Sequence, residues 1–178
     1  MEELNNHPEL KALYEALQAR HGQAILNAAL FKDELTVTVD ASRLKPVIEF
    51  LKSEGGMNAL NDMIGIDNLN PNPAPASAPD ASAPASAAAP AGKRFTILYQ
   101  LYRHQKPLRI RVRIDLDEGR QPDSIVFLYW SANWAEREIF DMFGIIFAGH
   151  PDLRRIYMDD DFADYPLRKD FPLAGRAS

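Results

Sequence analysis

The chain has 178 residues, enough for one domain with a buried core but hardly for two. Its net charge of −5 argues mildly against a chain that binds nucleic acid as a whole. It contains no cysteine, which excludes disulfides, thiolate-bound iron–sulfur clusters, cysteine-bound zinc and a cysteine nucleophile within this chain. The start lacks a basic-then-apolar leader, and no apolar run approaches the roughly 20 residues that span a bilayer. We therefore expect a soluble chain that associates with membranes only through a partner.

The first 70 residues carry alternating helix and strand patterns. Apolar residues recurring every three or four positions predict two amphipathic helices, Pro8–Arg20 and Ser42–Glu54. Apolar residues at every second position predict strands, and a tight turn at Lys32-Asp33 joins the first two. The strands are Gln23–Phe31, Glu34–Asp40 and Met57–Asp67. The periodicity of the last segment does not by itself distinguish a strand from a helix, and we take it as a strand.

Residues 71–92 interrupt this pattern. Of these 22 residues, ten are Ala, six Pro and three Ser, with no aliphatic side chain larger than Ala. Such a composition buries too little surface to offset the loss of chain entropy on folding. We therefore expect a disordered linker inserted in the domain rather than a binding motif.

Residues 93–130 are expected to supply the remaining strands of the same domain. Lys93–Tyr102 and Leu108–Leu116 alternate clearly and pair as an antiparallel hairpin. The pattern predicts an α+β fold, a two-layer domain with helices on one face of a mainly antiparallel sheet. A short helix then begins at Ser131 or Asn133 and ends at Gly144. An Asn133 cap would place Glu136 in the first turn, where its charge favours the helix dipole.

Residues 131–178 are expected to form that short helix and an extended C-terminal tail. Pro151, Pro166 and Pro172 disfavour helical angles in the residues before them. The tail is nevertheless too apolar for a solvated terminus, with Phe162, Tyr165, Leu167, Phe171 and Leu173. A segment that is both extended and apolar lies on something else, either this domain or another protein.

Catalytic patterns are missing from the sequence. There is no G-x-S-x-G elbow, no phosphate-binding loop and no dinucleotide fingerprint. His150-Pro151-Asp152 is better explained as a turn histidine than as a base with its orienting acid. The acidic run Asp159–Asp161 fails the calcium-loop template, whose glycine position holds Asp164. The helical charges at 136, 137, 138 and 141 are expected on a polar helix face, solvated or paired with neighbours.

A basic sheet face is predicted from Arg109, Arg111 and Arg113, which alternate with apolar residues. Nearby cations extend it: Lys93, Arg94, Arg103 and Lys106. Such a face can bind single-stranded nucleic acid when aromatics accompany it, but no suitable aromatic pair lies on this strand. A basic face that meets an acidic tail or an acidic partner is the simpler interpretation.

The C-terminal third closely resembles the signature of the C subunit of respiratory NADH:quinone oxidoreductase, complex I. That signature runs E-R-E, D-x-F-G-I, F-x-G-H-P-D-L-R-R-I and P-L-R-K-D-F-P-L. Here these are Glu136–Glu138, Asp141 with Phe143–Ile145, Phe147 with Gly149–Ile156, and Pro166–Leu173. One departure lies between the blocks, where Phe162, Asp164 and Tyr165 replace the usual Trp, Gly and His.

The resemblance implies a non-catalytic structural subunit of a proton-translocating complex, and an enzyme only as part of that complex. Such subunits carry no cofactor, while NADH, FMN, iron–sulfur clusters and quinone belong to the assembly. They lie in the peripheral arm on the cytoplasmic side of the bacterial inner membrane, as hetero-oligomers, with the tail across the D subunit near the quinone module. The implied partner contacts are Glu136, Arg137, Glu138, Asp141, Phe143, His150, Pro151, Asp152, Arg154, Arg155, Phe162, Arg168, Lys169, Asp170 and Phe171.

Two other functions stay open at this point. Ferredoxin-linked complexes and membrane-bound hydrogenases use a similar subunit, and the electron donor is a property of other chains. A free-standing module that binds single-stranded nucleic acid through the arginine strand is the alternative of a different class. No nucleic acid is expected on the preferred interpretation, nor any direct membrane insertion.

Overall fold

The structure, a computed structural model, describes residues 2–69 and 92–172. It contains three α-helices: α1 (Pro8–His21), α2 (Leu44–Ser53) and α3 (Ala132–Phe143). Five strands form one sheet: β1 (Ile25–Phe31), β2 (Glu34–Val39), β3 (Ala59–Asp67), β4 (Phe95–Arg103) and β5 (Leu108–Leu116). Short 3₁₀ turns cover Glu2–Asn6, Gly22–Ala24 and Ala41–Arg43.

The strand order is β1-β2-β5-β4-β3, and every neighbouring pair is antiparallel except β2 with β5. The two predicted hairpins, β1–β2 and β4–β5, are confirmed, and so is the strand taken from Met57–Asp67. The β1–β2 turn places Lys32 and Asp33 at φ values of 48° and 65°, the left-handed region that a two-residue hairpin turn requires.

The two faces of the sheet differ in polarity. One row across the strands holds Val37, Val112, Tyr99 and Met63, all buried in the single core under the helices. The next row holds Thr36, Arg111, Gln100 and Asp62, which are polar. This alternation confirms the predicted α+β class, with helices on one face of a mainly antiparallel sheet.

Residues 124–131, between the last strand and α3, form helical turns, with Tyr129 N–H donating to the Ile125 carbonyl at 2.9 Å. Of the two predicted starts of α3, the structure has Ser131 rather than Asn133 at the N-cap position. The predicted linker lies outside the described residues apart from Gly92, and so does Leu173 of the tail. No helix of the described part is both long and apolar enough to cross a membrane.

Candidate functional site: helix α3 and the tail

The tail begins at Gly144, where α3 ends in the left-handed conformation with φ 72°. Glycine is required here for a second reason, since a Cβ would lie 2.6 Å from the ring of Tyr165. The chain then turns back along α3, and Leu167 N–H donates to the Met142 carbonyl at 3.1 Å. Residues 144–172 contain no regular helix or strand, so a few backbone hydrogen bonds and many side-chain contacts hold them in place.

Asp141 is the main anchor of the tail. Its side chain is fully buried, and one carboxylate oxygen accepts the backbone N–H groups of Ile156, Tyr157 and Met158 at 2.7–3.0 Å. The other oxygen accepts the Arg155 guanidinium at 2.6 Å. Burial alone would raise the pKa of Asp141, but these four donors outweigh it and lower the pKa to about 2. Asp141 is therefore a charged group that shapes the tail from within.

Arg155 extends these contacts further along the tail. Its guanidinium is only 11% exposed and also donates to the carbonyls of Phe162 at 2.7 Å and Asp164 at 3.1 Å. It lies over the Tyr165 ring, with 5.2 Å to the ring centroid. One arginine thus closes the loop from 155 to 165. Asp164 stands where the family signature has a glycine. Its φ is not positive, so the backbone at this position does not require glycine.

A second attachment holds the end of the described tail. Arg168 donates to the Phe143 carbonyl at 2.7 Å and lies between the rings of Phe95 and Tyr165. The carboxylate of Asp170 pairs with Arg94 at 2.7 Å, and this guanidinium lowers the pKa of Asp170.

Two further acids complete this attachment. Arg94 also pairs with Asp67 and Glu118, and Asp67 accepts the Lys169 N–H at 3.0 Å. Burial opposes the charge of Arg94, but its three carboxylate partners dominate and raise its pKa. Sequence reasoning missed Asp67 and Glu118 as tail contacts, because nothing local marks residues whose partners lie 50–102 positions away.

Glu136 and His150 form a second buried pair beneath the start of the tail. Glu136 accepts the Ile125 N–H at 2.8 Å, and its other oxygen lies 4.0 Å from His150 Nε2 without a hydrogen-bond partner. Burial raises the pKa of Glu136 to about 7, and burial lowers the pKa of His150. His150 Nδ1 accepts the Asp152 N–H at 3.0 Å, so the predicted turn histidine is present.

The predicted partner contacts divide into two groups. Glu136 and Asp141 were expected on a solvated or neighbour-paired helix face, which is wrong, since both are 0% exposed and receive backbone N–H groups. Nine side chains are at least half-buried against the chain's own domain: Glu136, Arg137, Asp141, Phe143, His150, Arg155, Phe162, Arg168 and Phe171. Six are exposed: Glu138, Pro151, Asp152, Arg154, Lys169 and Asp170. Exposed apolar residues also line the tail, with Tyr157 at 56% and Leu167 at 55%.

The predicted basic face is neutralised within the domain. Arg111 pairs with Glu34 at 2.6 Å, and Arg113 with Asp115 at 2.9 Å while only 4% exposed. The remaining cations are also paired: Arg109 with Glu34, Lys93 with Asp117, Arg94 with Asp67, Glu118 and Asp170, and Arg103 and Lys106 with Glu9. Within residues 2–69 and 92–172, no three His, Asp or Glu side chains lie close enough together to hold a metal ion.

Comparison with known proteins assigns the family. Residues 37–177 match the model of the respiratory-chain NADH dehydrogenase, 30 Kd subunit. The chain is 35% identical over 168 residues to the NADH-quinone oxidoreductase C subunit of Methylobacterium sp. (strain 4-46), covering 93% of this chain and 69% of that protein. The C subunit of Brucella ovis is 38% identical over 89% of this chain and 70% of its own length. That of Ruegeria pomeroyi is 37% identical, with 93% and 74% covered.

Solved structures agree with this assignment. One described as Nqo5 of a trypsin-resistant fragment (1-134) superposes with a TM-score of 0.62 at 28% identity, covering 82% of this chain and 99% of that one. A chain of the membrane-bound sulfane sulfur reductase, an archaeal respiratory membrane complex, has a TM-score of 0.65 over 92% and 85%, and at 18% identity it shares the fold alone. The chain belongs to the family of the respiratory-chain NADH dehydrogenase 30 Kd subunit.

Proposed function

We propose that this chain is a non-catalytic structural subunit in the peripheral arm of a proton-translocating NADH:quinone oxidoreductase. It docks through its tail on the D subunit near the quinone module, on the cytoplasmic side of the bacterial inner membrane. NADH, FMN, iron–sulfur clusters and quinone are bound by other subunits. The relatives at 35–38% identity, which are C subunits of NADH-quinone oxidoreductases, support this choice over a hydrogenase or a ferredoxin-linked complex.

The docking proposal is supported by the way the domain holds the tail. Asp141 and Arg168 hold its inner side on the domain, while Arg154, Tyr157 and Leu167 point outward with 55–69% of their side chains exposed. An irregular segment held in one shape loses little conformational entropy on binding. Its outward residues, an arginine and apolar side chains, are of the kind that concentrates binding energy in interfaces.

The test replaces only the outward side chains, because removing the tail would leave the buried Asp141 carboxylate without its donors. A triple variant, Arg154→Ser with Tyr157→Ser and Leu167→Ser, is expressed with an affinity tag in the native host. We expect at least tenfold less D subunit to co-purify than with the tagged wild-type chain, at an unchanged melting temperature of the isolated variant. NADH-dependent quinone reduction of the purified material should fall in parallel.

Leu26→Ser is the matched control, since Leu26 is 65% exposed on β1, away from the tail. It should co-purify like the wild type. Wild-type chain that brings down no D subunit would overturn the proposed function, and a triple variant that assembles normally would overturn docking through the tail.

A further inference from the structure

Three large aromatic side chains lie exposed beside the tail. Phe127, Trp130 and Trp134 are 75%, 76% and 55% exposed, and we call them the aromatic ridge. Two successive helical turns carry them, one closed by Tyr129 N–H donating to the Ile125 carbonyl and the next by Asn133 N–H donating to the Trp130 carbonyl. Trp130 and Trp134 lie four positions apart at the start of α3, and Phe127 lies on the turn before it.

The ridge is held rigidly from beneath. Ile125 and Ala132, on the inner side of the same turns, are fully buried. The Tyr129 hydroxyl donates to the Met57 carbonyl at 2.5 Å, and the Ser131 hydroxyl donates to the Leu60 carbonyl at 3.2 Å. The exposed rings therefore stand on a fixed support, and binding to them would cost little ordering entropy.

Arg137 connects the ridge to the tail. Its guanidinium lies over the Trp134 ring, 5.4 Å from the centroid, and donates to the carbonyls of Arg154 at 3.1 Å and Arg155 at 3.3 Å. On the other flank, the Lys52 ammonium donates to the Leu128 carbonyl. The ridge is thus continuous with the tail surface, and it is flanked by Lys52, by Arg137 and, one helical turn after Trp134, by the exposed Glu138.

The size of the ridge fits part of a protein interface. An aromatic side chain buries about 150–250 Å² in a contact, so these three, at their exposures, offer roughly 300–500 Å². That matches the largest apolar patch of a typical monomer, roughly 300–600 Å². It is about half of the ~800 Å² that each partner buries in a stable interface. The tail would supply the rest.

We propose that the aromatic ridge and the tail bind the same partner subunit, the ridge entering an apolar cleft of that subunit. This inference rests on the proposed function and adds a second contact to it. The shared partner follows from the contact of Arg137 with both surfaces, and from the area of the ridge, which alone offers about half of the ~800 Å² that each side of a stable interface buries.

The experiment compares two double variants of the tagged full chain in the native host. Trp130→Ser with Trp134→Ser removes the two tryptophans of the ridge, and Leu26→Ser with Phe31→Ser removes two exposed apolar side chains on β1. Assemblies are purified from detergent-solubilised membranes, and the D subunit is quantified by mass spectrometry. We expect at least a tenfold loss for the ridge variant and less than a twofold change for the β1 variant. Melting of the isolated variants should match the wild type.

Each other outcome has a defined meaning. If the wild-type chain captures the D subunit and the ridge variant does so equally well, the second contact is wrong while docking through the tail stands. If the wild-type chain captures no D subunit, the proposed function itself fails. If the isolated wild-type chain binds phosphatidylcholine–phosphatidylglycerol vesicles and the ridge variant does not, while both assemble, the ridge is a lipid contact and the proposal is overturned.

Discussion

Two carboxylates on α3 are equally buried and behave in opposite ways. Asp141 and Glu136 are both 0% exposed, yet the pKa of Asp141 is lowered to about 2 and that of Glu136 is raised to about 7. The difference is the number of donors. Asp141 receives three N–H groups and a guanidinium, whereas one oxygen of Glu136 has no partner. Burial raises the free energy of a charged carboxylate most where few hydrogen-bond donors stabilise it.

Replacement of Asp141 tests its role as an anchor. Asp141→Asn removes the charge that Arg155 neutralises and should lower the free energy of unfolding by about 3 kcal/mol, because a guanidinium is left buried without a counterion. Chemical denaturation at pH 7 measures this. Asp160→Asn, at an exposed acid of the same tail, should change the value by less than about 0.5 kcal/mol. Equal effects of the two substitutions would contradict the anchor.

Glu136 gives the protein a pH-dependent stability. Its folded pKa of about 7 exceeds the ordinary value of 4.5, so its contribution to stability is complete below pH 4.5 and is lost as the pH rises through 7. Glu136→Gln mimics the protonated acid at every pH. We expect the variant to match the wild type at pH 4 and to exceed its unfolding free energy by up to about 3 kcal/mol at pH 8.

Comparison with the variant is needed because His150 works in the opposite direction. Its pKa is lowered in the folded state, so its contribution is lost as the pH falls. His150 is present in both proteins, so the difference between their denaturation curves contains the titration of Glu136 together with its interaction with His150, 4.0 Å away. Parallel curves from pH 5 to 8 would show that Glu136 titrates normally.

At the scale of elements, α3 and the tail fold as one unit. The Tyr165 ring lies against the Gly144 backbone, and Arg168 reaches the last turn of the helix. A tail without regular structure obtains its order from side-chain hydrogen bonds to backbone groups, which satisfy the polar atoms that a strand ladder would otherwise pair.

Gly144→Ala should release the tail. An alanine at this position would have to adopt a left-handed φ of 72°, and its Cβ would collide with Tyr165. Gly119→Ala is the matched control, since Gly119 has φ 79° and open space around it, so it adds backbone strain alone. We expect Gly144→Ala to speed trypsin cleavage after Arg168 and Lys169 about tenfold relative to the control, which corresponds to about 1.4 kcal/mol of local stability. Equal rates would mean that Tyr165 does not hold the tail.

At the scale of the whole molecule, the charges of the polar sheet face are satisfied internally. Each of the seven cations that suggested a nucleic-acid surface has an acidic partner, and Glu9 and Glu34 each serve two of them. The net charge of −5 adds a repulsive field toward polyanions. The face therefore offers little counterion release to a nucleic acid.

Fluorescence anisotropy with a 30-nucleotide single strand checks this. The wild-type chain should bind more weakly than about 10⁻⁴ M at 0.15 M salt, the weak end of non-specific affinities. The double variant Glu9→Gln with Glu34→Gln exposes four cations and should gain affinity and a steeper salt dependence. Micromolar binding by the wild type would revive the nucleic-acid hypothesis.

Local sequence patterns determined the elements of this protein. Period-2 alternation in β4 and β5 and the glycine after α3 act over a few residues, so they could be read without knowing the fold. The motif blocks from Glu136 to Leu173 likewise identified the family from the sequence. The pattern could not decide which charged residues of α3 point inward, because a polar residue on an amphipathic helix is usually solvated.

Only the tertiary structure decided what the tail lies on. The contacts of Asp141 with residues 156–158, of Arg94 with Asp170 and of Asp67 with Lys169 join positions 15 to 102 residues apart. Such pairs have no sequence period, and they exist because buried carboxylates and guanidinium groups must find partners wherever the fold places them. The same burial sets the pKa of Glu136 and leaves the aromatic ridge exposed on a rigid support.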